Sequence, residues 1–334
     1  MVSDFPIDYQ AVLAGDKPAV ARVLNLLEDR RPEVAERVQK VAAHLSRKAK
    51  TGRHTIGITG PPGVGKSSMI SRLIEQYRAR RKSVGVISVD PSSLRSGGAL
   101  LGDRIRIRYR PNDTGVFIRS LAARGHLGGL SGNIRQMLVL FEAVYDIIIL
   151  ETVGVGQSET DVADVVDTVI SVIHPGSGDM LQFMKAGIME IPHILVINKA
   201  DRKSAALKSF YDLKNATAYM AGDDLDWQPE VIMTSATEDK GFDALVDALV
   251  RHRALLASRG IDEQRRQKLQ RSILTEFKAA YGRFGIRLLG GEEHILSLLQ
   301  HAGIANADEG LRYLDHQMSG SLTRGVRFVD SAAG

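Results

Sequence analysis

The 334-residue chain contains no cysteine, which removes disulfide frameworks, thiolate zinc sites and cysteine nucleophiles from consideration. That absence fits a reducing compartment. No apolar run reaches the roughly 20 residues a membrane-spanning helix needs. The start, Met1-Val2-Ser3-Asp4-Phe5-Pro6, lacks the basic-then-apolar layout of a secretory leader. A soluble, cytoplasmic protein with no membrane partner is the expectation. Nor is there a block of one charge: 44 Lys and Arg are spread among 39 acids for a net +5, so nucleic acid is not a favoured partner. What remains is an ordinary globular composition, 44% hydrophobic and 25% charged, long enough for one large domain or a core with appended segments.

Against that plain background one stretch stands out. Gly60-Pro61-Pro62-Gly63-Val64-Gly65-Lys66-Ser67 fits the spacing G-x-x-x-x-G-K-[ST] of a phosphate-binding loop. Its glycines let backbone N–H groups line a concave turn, Lys66 reaches the β- and γ-phosphates, and the Ser67 hydroxyl can serve magnesium. The context agrees: Thr55–Thr59 reads as a buried strand, and a helix with Ile70, Leu73 and Ile74 on one face opens at Ser68, which joins the nucleotide-binding set.

From Thr55 to about Leu256 strands and helices alternate. Strands are expected at Thr55–Thr59, Val84–Val89, Val116–Ile118, Asp146–Leu150, Thr168–Ile173, His193–Ile197 and Val231–Thr234. Most are near-continuous apolar runs, the pattern of parallel strands covered on both faces by helices. A doubly wound, mostly parallel α/β sheet follows, and such sheets bind ligands at the carboxyl ends of their strands.

The residues after each strand are therefore the ones to inspect. Asp90, and Asp103 a little further on, are carboxylates within reach of a magnesium-phosphate site, although Asp90 before Pro91 also reads as a turn starter. Glu151 ends an apolar strand with Gly154 three residues on, the layout in which the acid serves magnesium and the glycine N–H senses the γ-phosphate. Asn198-Lys199-Ala200-Asp201 matches N-K-x-D. Its aspartate can accept from the N1–H and exocyclic amine of guanine, a donor pair adenine lacks, while Asn198 and Lys199 brace the ring. Ser235 and Ala236 offer backbone N–H groups to the guanine carbonyl. GTP or GDP with Mg2+ is the expected ligand.

Together, Gly60–Ser67, Val89–Ser93, Gly97-Gly98 with Leu101–Asp103, Glu151–Glu159, Pro175–Asp179 and Asn198–Asp201 resemble the MeaB/ArgK group of P-loop GTPases. That family chaperones adenosylcobalamin-dependent acyl-CoA mutases. The resemblance implies that Lys66, Ser67, Asp90, Asp103 and Glu151 form the phosphate and magnesium site. It implies that the 176–185 turn is a mobile switch acting through Asp179, Gln182 and Lys185, with Gln157 in the partner-coupling run; Asp179 alone reads as a helix cap. It also implies GTP hydrolysis that gates delivery of adenosylcobalamin, a cofactor bound by the mutase and not by this chain. Val155 stands where Ras-like proteins carry the water-orienting glutamine, so slow intrinsic hydrolysis, accelerated by the mutase, is expected.

The ends are less distinctive. Val34, Val38, Val41, Ala42 and Leu45 form a helical stripe, separated by Pro32 from an earlier helix around Ala19–Leu27, and read as a brace on the core or a partner-binding arm. Arg104–Arg110 alternates basic and apolar residues as an extended edge would, its cationic face solvated or aimed at phosphate. Near the other end, Leu269, Ile273, Leu274, Phe277 and Tyr281 form a stripe over 262–281, read as a homodimerisation arm or a cap on the core. His294 and His301 share a helical face without a third ligand, and residues after Gly320 read as a loose end. The expected division is 1–52 N-terminal helices, 53–258 GTPase core and 259–334 C-terminal helices. A GTPase metallochaperone, a kinase and a non-hydrolysing GTP-binding scaffold are the competing functions. The first is opposed by the lack of Cys and clustered His, and the second by the lack of an H-R-D loop.

Overall fold

A computed structural model describes residues 5–29, 31–90, 107–122, 132–152, 162–176, 191–220 and 227–331. Seven strands form one sheet: β1 His54–Thr59, β2 Val84–Asp90, β3 Val116–Ala122, β4 Ile147–Glu151, β5 Thr168–Ile173, β6 Ile194–Ile197 and β7 Glu230–Met233. The spatial order is β3-β2-β4-β1-β5-β6-β7, and every pairing is parallel. All seven expected strands are present, with ends shifted by up to a few residues. Every residue of β1, β4, β5 and β6 is buried, as strands covered on both faces must be.

Alternation along the strands sorts their side chains into two cores. Ile147 and Ile149 pack with Ile56, Ile58, Ile170 and Val172 beneath α4 (Lys66–Ala79) and the helix Phe242–Ser258. Ile148 and Leu150 face the other way, with Val169 and the helix α5 (Gly132–Val144). This second core continues into α1 (Tyr9–Leu13), α2 (Lys17–Leu27) and α3 (Ala35–Ser46), through Val20, Leu24, Leu27, Val38, Val41 and Leu45. The N-terminal stripe is thus consumed as a brace on the core. α2 begins two residues before the expected Ala19 because Asp16 caps it, accepting from the Ala19 N–H at 2.9 Å. α6 (Lys203–Met220) packs on β6 and β7 through Ala206 and Leu213, and Phe242–Ser258 is α7.

Beyond α7 lie α8 (Ile261–Leu288, kinked at Gly282), α9 (Glu292–Ala302) and α10 (Ala307–Ser331). The C-terminal helices and the 107–110 segment bear on three expectations, the last two of which need correcting. The stripe of Ile273, Leu274 and Phe277 is covered by Ile295, Leu299 and Leu314 of the same chain, so it does not by itself call for a second copy. The segment after Gly320 is not a loose end, because α10 runs on to Ser331. Residues 107–110 are no strand: Ile107 turns into the α4 core, and the Arg108 N–H donates to Ser71 Oγ at 2.8 Å. The side-chain pattern there had period two, but the backbone found its partner on a helix. His294 and His301 are exposed on α9, with His301 Nδ1 2.7 Å from the Ser297 carbonyl.

The amino ends of the strands are closed by buried polar groups. Asp167 accepts from Arg265 Nε at 2.8 Å, from Arg265 NH2 at 2.7 Å and from the Thr55 N–H at 2.9 Å. Burial alone would raise the Asp167 carboxyl, yet the Arg265 hydrogen bonds and charge hold it below its ordinary value. Thr168 Oγ1 lies 2.7 Å from both His54 Nε2 and His252 Nδ1; with one hydrogen to give, it donates to one ring and accepts from the other. His193 Nδ1 accepts from the Val169 N–H at 3.0 Å, and its ring packs on that of His252. Burial pushes these imidazoles down, to about 3 for His54 and His193 and about 4 for His252, so all three are neutral near pH 7.

Candidate nucleotide site

The phosphate loop leaves the carboxyl end of β1, the centre of the sheet, and enters α4 with Gly65 as the residue before the helix. Two glycines are obligatory on steric grounds. Gly60 (φ 142°) presses on the Val172 carbonyl and Gly65 (φ 97°) on the Asn198 amide, and a Cβ at either would overlap its neighbour. Lys66 Nζ donates to the Gly60 and Pro61 carbonyls at 2.7 and 3.2 Å, which holds the ammonium inside the loop. Those two carbonyls occupy acceptor positions around the ammonium that phosphate oxygens would take. Val64 is buried, anchoring the loop, while Pro62, Gly63 and Ser68 face solvent.

The guanine motif is attached to this loop directly. β6 ends at Ile197, and the next residue, Asn198, donates from Nδ2 to the Val64 carbonyl at 2.9 Å. Lys199, left-handed at φ 59°, donates from Nζ to the Gly63 carbonyl at 2.8 Å. Asp201 Oδ1 accepts from Ser235 Oγ at 2.8 Å, and the Ala200 N–H donates to the Thr234 carbonyl at 3.0 Å, joining the motif to the turn after β7. Two contributors escaped sequence reading. Thr234 Oγ1 donates to Asn198 Oδ1 at 3.2 Å, and Arg72 of α4 donates to the Ala236 carbonyl at 3.3 Å. Neither belongs to a spacing motif; only the fold brings them in.

On the other side of the loop, β4 sits between β1 and β2 and delivers Glu151 at its end, buried. Ser67 Oγ donates to Glu151 Oε1 at 3.3 Å, and Ser88 Oγ of β2 donates to Oε2 at 2.9 Å. Ser88 is a further residue that no motif announced, although its place two before Asp90 puts it on the pleat next to Glu151 in register. Hard oxygens of a serine and a carboxylate at this separation suit Mg2+, which completes its coordination with phosphate oxygens and water. Asp90 ends β2 in register with Ala122. Asp103, Gly154, Gln157, Asp179, Gln182 and Lys185 lie outside the described residues.

A phosphate-loop motif in the middle of a parallel sheet, with the aspartate of an N-K-x-D motif two strands over and a carboxylate facing its serine, is the equipment of a P-loop GTPase. Comparison with known proteins narrows the class. The family model described as methylmalonyl Co-A mutase-associated GTPase MeaB matches residues 20–280. A Pyrococcus abyssi relative is 42% identical over 267 residues, covering 78% of this chain and 80% of its own. GTPase ArgK of Escherichia coli is 37% identical over 260 residues, covering 76% and 77%. A solved structure described as an LAO/AO transport system kinase superposes with a TM-score of 0.64 at 25% identity, covering 93% of this chain and 96% of its own. The chain belongs to the MeaB family. No helix among the described residues is long and apolar enough to cross a membrane.

Proposed function

We propose that this GTPase is a chaperone of an adenosylcobalamin-dependent acyl-CoA mutase, gating cofactor loading and protecting or reactivating the mutase through GTP binding and hydrolysis. The match to a mutase-associated GTPase family over residues 20–280 carries the reading. The proposed machinery is Lys66, Ser67, Asp90, Asp103, Glu151 and Gly154 at the phosphates, and Asn198, Lys199, Asp201, Ser235 and Ala236 at the base. In GTP binding, Lys66 Nζ exchanges the Gly60 and Pro61 carbonyls for phosphate oxygens, while the loop N–H groups take the rest. Asp201 fixes the guanine edge, and Ser88 holds Glu151 toward Ser67. A magnesium ion at Ser67 and Glu151 would neutralise charge between the β- and γ-phosphates.

The proposed division of labour follows the chain: helices within 1–52 brace the core, 53–258 handles nucleotide, and 259–334 carries the contacts of a homodimer. The mutase couples to the core through Gln157, Asp179, Gln182 and Lys185. Steady-state GTP turnover with and without methylmalonyl-CoA mutase tests the reading. Turnover should be slow alone and rise severalfold with the mutase; rapid turnover indifferent to the mutase would overturn it. Light scattering of the purified protein tests the dimer.

A further inference from the structure

The turn after β7 closes on itself through Ser235 and Lys240. The Ser235 N–H donates to the Lys240 carbonyl at 3.0 Å, and the Lys240 N–H donates to the Ser235 carbonyl at 3.1 Å. The Ser235 hydroxyl is committed as well, donating to Asp201 Oδ1 at 2.8 Å and accepting from the Glu238 N–H at 3.2 Å. The next residue differs: the Ala236 N–H meets no acceptor among the described residues. Of the two residues placed beside the base, only Ala236 therefore has a main-chain donor left to offer the guanine carbonyl.

A single donor reads a base only if its residue is held in place. Ala236 packs on the core beneath α4 and α7, but residues 237–240 are exposed, and Asp239 is left-handed at φ 53°. The half-buried Arg72 of α4 spans this turn from outside. Its NH2 donates to the Ala236 carbonyl at 3.3 Å, and its Nε lies 3.6 Å from Asp239 Oδ1. Its NH1 donates to Glu75 Oε2 at 2.8 Å, which fixes the guanidinium on its own helix. Holding the Ala236 carbonyl limits rotation about that residue, and so limits where its N–H points. Arg72 also lies six residues after Lys66 on the same helix, about 9 Å along the axis. One side chain thus ties the turn beside the base to the helix that begins at the phosphates.

We infer that Arg72 is a positioning residue for base selection: it sets the Ala236 N–H, the donor for the 6-carbonyl of the purine, at a fixed distance from the phosphate end of α4. The other edge of the base, N1–H and the 2-amino group, falls to Asp201, which is held separately by Ser235 Oγ and by the Ala200 N–H on the Thr234 carbonyl. Loss of Arg72 should therefore cost recognition of one edge and spare the other. The inference rests on the reading of Ala236 as a base contact, and it is independent of the mutase role.

Calorimetric titration of the full chain with GDP, 6-thio-GDP and IDP separates the two edges. 6-Thio-GDP replaces the carbonyl oxygen with sulfur, a weak acceptor, and IDP lacks the 2-amino group. The parent should prefer GDP to both. Arg72→Ala should weaken GDP and so shrink its preference over 6-thio-GDP by about tenfold, while the preference for GDP over IDP stays within about twofold of the parent. Arg72→Lys keeps the charge on α4 but has one ammonium for three acceptors. It should shrink the 6-thio-GDP preference by about threefold, and it provides the answer if Arg72→Ala fails to fold. Equal loss of affinity for all three nucleotides, joint loss of both preferences, or an undiminished preference over 6-thio-GDP in the folded variants would overturn the inference. A parent that binds GDP and 6-thio-GDP alike would overturn the assignment of Ala236 to the base carbonyl, and the inference with it.

Discussion

At the carboxyl ends of the strands, Lys66, Asn198 and Lys199 donate to main-chain carbonyls of the phosphate loop. At the amino ends, Asp167, Arg265, Thr168 and the histidines at 54, 193 and 252 bond to one another and to buried backbone. The same strands, β1, β5 and β6, run between the two ends. The difference lies in what the polar groups await. A loop carbonyl can be exchanged for a phosphate oxygen at little cost, because one acceptor replaces another. A buried carboxylate holding a guanidinium has no such alternative, and losing it strands a charge. Function at one end and cohesion at the other should therefore separate under mutation.

The largest expected effect tests the closed end. Asp167→Ala takes the buried carboxylate from Arg265, which keeps only the Arg53 carbonyl and the exposed Asp262, and leaves the Thr55 N–H without its acceptor, which should cost about 3–5 kcal/mol of unfolding free energy. Denaturant titration measures it, and GDP affinity of the folded variant should be unchanged. Loss of GDP binding in proportion to stability would show that the two ends are not independent.

Lys66→Ala probes the open end. GTP hydrolysis should fall by about a hundredfold or more, the scale of removing one charge-stabilising donor, with a melting temperature close to that of the parent. A mutase effect that survives this loss would favour a GTP-binding scaffold over an enzyme.

The motifs behind that experiment were legible because each is a run of neighbours: the 60–67 loop and 198–201 need only a strand before them. All seven strands were legible for a related reason, since burial on both faces writes itself as continuous apolar residues. Other parts were not. Ser88, Thr234 and Arg72 act across tens of residues, and a serine in a strand or an arginine on a helix carries no spacing signal. His54, His193 and His252 are scattered through the chain and meet only when β1, β6 and α7 assemble. The stripe on α8 announced an apolar face but not its cover, because periodicity is blind to whether the partner is α9, α10 or another molecule.

Acid should weaken the closed end selectively. The folded values of His54, His193 and His252 lie below the ordinary 6.5, so the unfolded chain binds protons first as pH falls. Stability is fully present above about pH 6.5 and is lost below it, by about 2 kcal/mol between pH 7 and 6 if all three act. Urea titrations across that range check the slope, and His252→Gln should flatten it. A slope unchanged by that variant would remove the histidines as its source.

The smallest expected effect sharpens the contrast most, because it concerns a buried bond at the open end. Ser88→Ala removes the donor to Glu151 Oε2 and leaves Ser67 to hold the carboxylate. If buried polar groups at this end serve ligand binding, the loss, about 1–2 kcal/mol, should appear as weaker Mg2+-dependent GTP binding, by about tenfold. GDP binding without Mg2+ and the melting temperature of the free protein should move little, since Glu151 keeps its place at the end of β4. The opposite pattern, a large fall in melting temperature with the Mg2+ dependence intact, would make Ser88 and Glu151 part of the same cohesive framework as Asp167 and Arg265. The division between the two ends would then run through the phosphate site, separating the 60–67 loop from the strand ends beside it.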